Sequence, residues 1–168
     1  MSKLKFHSTS MSNSLFARFN AALRQSPDQK FLTFVSEDGT DKVTLTRSAF
    51  EERSNIIANA LVSENGLKAG DVVLLVYPQS LEFCIAFWAC MKIGVIPAPL
   101  PPPNPFKLQQ DMPNFRTIVE VSKAKLVLSE SLYMNAKLAT EMARVIGLTS
   151  AVWPKISWVR TDKIKIKN

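Results

Sequence analysis

The stretch that most constrains the fold of this chain runs from Asp71 to Pro105, DVVLLVYPQSLEFCIAFWACMKIGVIPAPLPPPNP. Val72-Val73-Leu74-Leu75-Val76 is continuously apolar and lacks the alternation of a half-exposed strand. It therefore predicts a strand covered on both faces, as in a parallel sheet. Tyr77-Pro78 ends it, because the residue before a proline is held out of the helical region and the chain then turns at Pro78-Gln79. Ser80 is placed to cap the helix that follows. That helix, Leu81 to Ile93, carries nine consecutive apolar residues from Phe83 to Met91, with only Glu82 and Lys92 charged. A helix apolar nearly all round belongs in a core or a membrane, and this run falls well short of the ~20 residues a bilayer demands. The core reading stands, with Gly94 closing the helix in the left-handed conformation that a missing Cβ permits. Val95-Ile96-Pro97-Ala98-Pro99 returns as an extended segment at a sheet edge, since proline cannot donate to a central ladder.

The flanking segments read as material packed around this unit. Ser12–Arg24 sets Leu15, Phe16, Phe19, Ala22 and Leu23 on one helical face, and Ser26-Pro27 stops it. Lys30–Val35 and Lys42–Leu45, joined by a loop containing Gly39, predict a β-hairpin. Two helix starts then compete: Thr46 as N-cap, or Ser48 with Glu51 at capping-box spacing. Either leads to a helix reaching about Glu64, burying Phe50, Ile57 and Leu61 and closed by Asn65-Gly66. Beyond the central unit, the prolines from Pro97 to Pro105 favour polyproline II. The spacing of Pro99 and Pro102 fits an SH3-type ligand, but a position between two packed elements favours a structural crossover. A helix over Leu108–Ser122, a strand over Lys125–Leu128, a helix from Ser129 or Ser131 to about Ile146 and a strand near Ile156–Val159 complete the alternation. The fold class is α/β, a layered, largely parallel sheet with flanking helices and an N-terminal hairpin.

At 168 residues the chain is one domain or part of a larger one. Residues 1–11 predict a disordered basic tail and residues 12–168 the folded body. No segment is long and apolar enough to span a membrane, and MSKLKFHSTSMSNS lacks the apolar core of a secretory signal. Cys84 and Cys90 point in different directions from one helix, so a disulfide between them is excluded and a reducing, cytoplasmic setting is expected. The net charge of +7 invites a nucleic-acid reading. Its distribution argues otherwise, because the bases concentrate at the ends: Lys3, Lys5, Arg18 and Arg24 before residue 25, and Lys155, Arg160, Lys163, Lys165 and Lys167 after residue 154. Basic ends read as solvated tails, so no nucleic-acid partner is expected. The alternating Lys163–Lys167 segment equally suits an edge strand.

Few residues offer chemistry. The single histidine, His7, lies in the tail, and two cysteines without CxxC spacing make no zinc site. The five glycines form neither GxGxxG nor a Walker A loop. Asp71 reads as a loop-solvating carboxylate, Glu82 as a complement to its helix dipole, Trp88 as core, and both cysteines as small buried hydrophobes. Tyr77, Pro78, Gln79 and Ser80 alone sit where open α/β sheets place ligands, at the carboxyl end of a parallel strand. Capping by Ser80 and strand-end packing by Tyr77 explain them as well. No catalytic, cofactor-binding or metal residue is assigned.

The pattern of residues then resembles the N-terminal part of the adenylate-forming (acyl-activating, AMP-binding) enzyme superfamily. The resemblance runs through Leu45-Thr46, Gly66-Leu67-Lys68-Ala69-Gly70-Asp71-Val72-Val73-Leu74-Leu75, Pro78, Leu81-Glu82-Phe83, Ala86-Phe87 and Gly94-Val95-Ile96-Pro97. Ala124–Ser129 and Trp158–Asp162 continue it, so it covers about residues 12–162. Pro99-Leu-Pro-Pro-Pro103 is similar to the fatty acyl-AMP ligase branch in particular. The resemblance implies a partial N-terminal subdomain of an acyl-activating fold that ends before the phosphate loop. It implies a whole enzyme that uses ATP and Mg²⁺ to turn a fatty acid into an acyl-adenylate with release of pyrophosphate. Its partners would be the remainder of the adenylation domain, a mobile C-terminal domain and an acyl carrier protein. This chain alone is expected to be inactive, and a non-catalytic binding module on the same fold is the alternative.

Overall fold

The computed structural model describes residues 14–165. The tail over residues 1–11 and His7 lie outside them. The chain divides into two compact units, residues 1–52 and 53–168.

In the first unit, helix α1 (Leu15–Gln25) precedes a hairpin of β1 (Lys30–Val35) and β2 (Asp41–Thr46). Ser14 caps α1, its hydroxyl accepting from the Ala17 N–H at 3.1 Å. Leu23 is buried and Phe16 and Phe19 half-buried, whereas Leu15 and Ala22 face outward, so the apolar face is narrower than the spacing predicted. Phe19, Phe31 and Phe50 meet edge to face with centroids 5.1–6.3 Å apart, the geometry that aromatic quadrupoles prefer. The competition at the next helix, α2 (Arg47–Ser63), is settled for Thr46, whose hydroxyl accepts from the Ala49 N–H at 3.2 Å.

The second unit holds a four-stranded sheet in the order β4-β3-β5-β6, parallel throughout. Its strands are β3 (Val72–Val76), β4 (Ile96–Leu100), β5 (Leu126–Ser129) and β6 (Ser157–Arg160). The helices between them are α3 (Leu81–Lys92), α4 (Leu108–Ser122) and α5 (Ser131–Val145). The uniformly apolar run becomes a central strand, with Val73 to Val76 at most 1% exposed. Pro97 and Pro99 lie on the edge strand as expected. The Ile96 N–H donates inward to the Asp71 carbonyl at 2.8 Å, so by alternation the two prolines turn their missing N–H groups outward, where no partner is lost.

Right-handed crossovers fix the layers. The chain leaves β3 one way for β4, then returns past β3 to β5 and β6, which puts α3 on one face and α4 with α5 on the other. On that second face Leu74, Val76 and Val127 pack with Leu108, Met112, Phe115, Tyr133 and Trp153. Here the proline crossover proves structural, for Pro103 is buried and its carbonyl accepts from the Tyr133 hydroxyl at 2.7 Å. Lys137 sets its ammonium against both Trp153 and Trp158, 5.2 and 5.3 Å from the ring centroids, and pairs with Glu141 at 2.5 Å.

Of the two starts read for helix α5, Ser131 is the one taken, with Glu130 at its N-cap, because Ser129 is drawn into the strand. Two other expectations shift. Trp88 is half-buried on α3 instead of lying in the core. Over its described part, the Lys163–Lys167 segment is no edge strand, since Thr161–Lys163 winds into a 3-10 turn that closes the sheet end.

Candidate functional site

Connections leave β3 and β5 in opposite directions along the sheet, which makes the crevice outside their carboxyl ends the topological switch point, the place where open α/β sheets seat ligands. Tyr77 to Ser80 form one wall of it and Ser129 to Ser131 the other, with Thr161-Asp162 beyond. The amino ends of α3 and α5 both open here.

Of the four residues the sequence singled out, Tyr77 is buried and its hydroxyl is 2.9 Å from Thr161 Oγ1. Thr161 spends its own proton on the Ser129 carbonyl at 3.2 Å, so Tyr77 is the donor in that pair. Ser129 in turn donates to the Val76 carbonyl at 2.6 Å. These three side chains are committed to joining β3, β5 and the turn after β6. Pro78 is half-buried and Gln79 exposed. Ser80 occupies the N-cap of α3 but makes no capping bond, and its buried hydroxyl has no hydrogen-bond partner. Helix α5 is capped from another element instead, Asp162 Oδ1 accepting from the Ser131 N–H at 2.9 Å.

Sequence reasoning missed the charged half of the site. Arg53, on α2, donates to the carbonyls of Thr161 and Ile164, both at 2.5 Å, and lies 3.6 Å from Glu82. Burial raises the Glu82 carboxyl above its ordinary range; the Thr161 side chain and then Arg53 oppose the rise, and Asp162 and Glu130 add to it. Burial also raises Glu130, with the nearby Ser80 hydroxyl opposing this without a hydrogen bond of ordinary geometry and Asp162 reinforcing it. The strand-end rule that picked out Tyr77–Ser80 applies equally after β5 and β6, and would have found Glu130, Ser131, Thr161 and Asp162. Nothing marks Arg53, an arginine among other polar residues on a helix.

The arrangement ties α2, β3, α3, β5, α5 and the turn after β6 together, and it does not suit an ATP–Mg²⁺ pair. Two of its carboxylates are pushed toward the neutral form, the third caps α5, and Arg53 is already engaged by two carbonyls and Glu82. Among the described residues no three acidic, histidine or cysteine side chains gather as metal ligands. Neither thiol is an activated nucleophile: burial pushes Cys90 up to about 12 and raises Cys84 as well. A groove of about 260 Å³ between the proline crossover and α4, floored by Leu100, Phe115 and Ile118, is smaller than an ordinary small-molecule site.

Residues 19–164 match the model of the AMP-binding enzyme family. The chain belongs to that family. It is 34% identical over 131 residues to Disco-interacting protein 2 of Drosophila melanogaster, a match covering 78% of this chain and 7% of that one. It is 28% identical to the medium-chain-fatty-acid–[acyl-carrier-protein] ligase JamA of Moorena producens, over 81% of this chain and 22% of the relative. Its fold superposes with a TM-score of 0.67 and 25% identity on a fatty acyl-adenylate ligase from L. pneumophila solved with acyl adenylate and pyrophosphate, covering 88% of this chain and 24% of that one. This family member is therefore an α/β unit of the kind found in the N-terminal part of adenylate-forming enzymes, and it spans less than a quarter of these relatives' length.

Proposed function

We propose that this chain is the N-terminal scaffold of a fatty acyl-AMP ligase, with residues 12–168 forming part of its adenylation domain. In the whole enzyme a fatty acid and ATP give acyl-adenylate and pyrophosphate, and the acyl group then passes to the thiol of an acyl carrier protein. The observation that carries this reading is the likeness to the L. pneumophila ligase at 25% identity across 88% of the chain. The ligase JamA, whose name specifies a fatty acid and an acyl carrier protein, supports the same branch. ATP and Mg²⁺ would be held by residues outside this chain, and what these residues contribute is the sheet, the ordered strand ends and a wall of the acyl site. The protein would work in the cytoplasm, a setting that suits two free thiols and, among the described residues, helices none of which is long and apolar enough to cross a membrane.

The test compares fatty-acid-dependent exchange of labelled pyrophosphate into ATP by the native polypeptide and by these 168 residues alone. Exchange by a larger native polypeptide and none by the 168 residues is the expected result. A native polypeptide of this length without exchange would defeat the reading. It would favour a non-catalytic binding module on the same fold.

A further inference from the structure

Two dipeptides in the chain can cyclise backbone onto side chain, Asp38-Gly39 and Asn65-Gly66. In each, attack by the glycine nitrogen on the preceding side-chain carbonyl carbon closes a five-membered ring, and glycine has no Cβ to obstruct it. Both glycines lie at positive φ, 81° and 65°, with open space around them, so their local sterics are alike. Hydrogen bonding sets them apart. In the hairpin loop the Gly39 N–H donates to the Ser36 carbonyl at 2.9 Å. Asp38 Oδ1 accepts from the Ser36 hydroxyl, the Thr40 hydroxyl and the Thr40 N–H at 2.6, 2.8 and 3.1 Å. Ser36 first, and then Thr40, holds that carboxyl down to about 2, so it stays ionised and is a poor electrophile. Nucleophile and electrophile are both engaged there.

At the end of α2 neither is. Asn65 and Gly66 are exposed, and among the described residues neither the Asn65 side-chain amide nor the Gly66 N–H has a hydrogen-bond partner. The bonds that close the helix pass over that N–H: Asn65 donates to the Ala60 carbonyl at 3.3 Å and Leu67 to the Leu61 carbonyl at 3.1 Å. Asn20, Asn55, Asn114 and Asn135 lie inside helices, where the next residue's N–H belongs to the helical ladder. Asn104 precedes Pro105, which has no N–H to react.

We propose that Asn65-Gly66 is a spontaneous modification site of this protein, converting to aspartate and isoaspartate while the fold shields Asp38-Gly39. The side-chain amide of asparagine is chemically labile. The Gly66 nitrogen bonds to Asn65 Cγ, the Cγ–Nδ2 bond breaks, and the amide nitrogen leaves as ammonia with the proton that the Gly66 nitrogen gives up. Water then opens the cyclic imide. Opening at the side-chain carbonyl leaves aspartate; opening at the backbone carbonyl leaves isoaspartate, whose main chain runs through the former side chain and is one carbon longer. Either product puts a negative charge next to Glu64 at the carbonyl end of α2, where the helix dipole is already negative. Isoaspartate also lengthens the chain between the bond to Ala60 and the buried Leu67. The proposal is independent of the ligase reading.

Peptide mapping by mass spectrometry of the full chain, warmed in mildly alkaline buffer, tests this, with Asp38→Asn supplying a matched asparagine–glycine pair in the hairpin loop. The expected result is a gain of about 1 Da in the peptide holding residue 65. That peptide should also accept a methyl group from S-adenosylmethionine through an isoaspartyl methyltransferase, and both signals should be absent from Asn65→Ser. Relative to its own rate in urea, the amide introduced at position 38 should be slowed by folding at least about tenfold more than that of Asn65. No conversion at residue 65 in the folded chain, over the time that converts it in urea, would overturn the proposal. Equal slowing of the two positions would overturn it as well, because the hydrogen bonds of the hairpin loop would then protect nothing.

Discussion

Thr161 is the residue on which the carboxyl edge of the sheet converges. It is fully buried, accepts from Tyr77, donates to Ser129 and offers its carbonyl to Arg53. Thr161→Val preserves volume and strands the buried Tyr77 hydroxyl without its acceptor. We expect a loss of about 1–3 kcal/mol in urea unfolding; a loss below about 0.5 kcal/mol would show that the knot is dispensable. Glu82 pulls the other way. Its carboxyl titrates above the ordinary 4.5, so between that value and its raised one the folded state holds more protons than the unfolded, and stability falls as pH rises through the window. Glu82→Gln removes that cost, while Arg53 keeps its two carbonyls. The variant should be more stable than the parent at pH 8 and show no such gain at pH 4. Thermal melts at the two pH values decide it, and an advantage that grows toward acid would contradict the assignment of cause.

Among the elements, α3 and its exit show how local rules were met and where packing added to them. Gly94 sits at φ 70°, a conformation that taxes any side chain, and a Cβ there would stand 3.0 Å from Ala69 Cβ. Gly66 ends α2 at φ 65° with open space around it. Gly66→Ala should cost about 1 kcal/mol from backbone strain alone. Gly94→Ala should cost clearly more, because strain and contact add; equal costs in paired unfolding curves would mean that the Gly70–Gly94 approach, bonded through the Gly70 N–H at 2.8 Å, yields easily. Helix α4 tolerates Pro113, whose ring removes one backbone donor, because Leu108, Met112 and Phe115 anchor the same turns in the core.

For the whole molecule, burial predicts an order of opening. Val73–Val76 and Leu126–Ser129 are buried at every position, whereas both strands of the hairpin keep their residues exposed or half-exposed. Amides in β3 and β5 should exchange only through global unfolding, and hairpin amides through cheaper local openings. Native-state exchange against denaturant reads the difference directly; a common isotherm for both would deny it.

The sequence by itself determined the alternation of strands and helices, the burial of β3, the edge position of the proline strand, the helix over Leu108–Ser122 and the switch-point location of Tyr77–Ser80. These follow from steric and hydrophobic rules acting over a few neighbouring residues. Only the tertiary structure decided that Thr46 and not Ser48 caps α2, that Ser129 extends a strand instead of starting a helix, and that Asp162 caps α5 across the sheet end. It alone brought Arg53 to Thr161, 108 positions away. Hydrogen-bond partners distant in sequence compete with local ones on equal energetic terms, and local pattern carries no record of which wins.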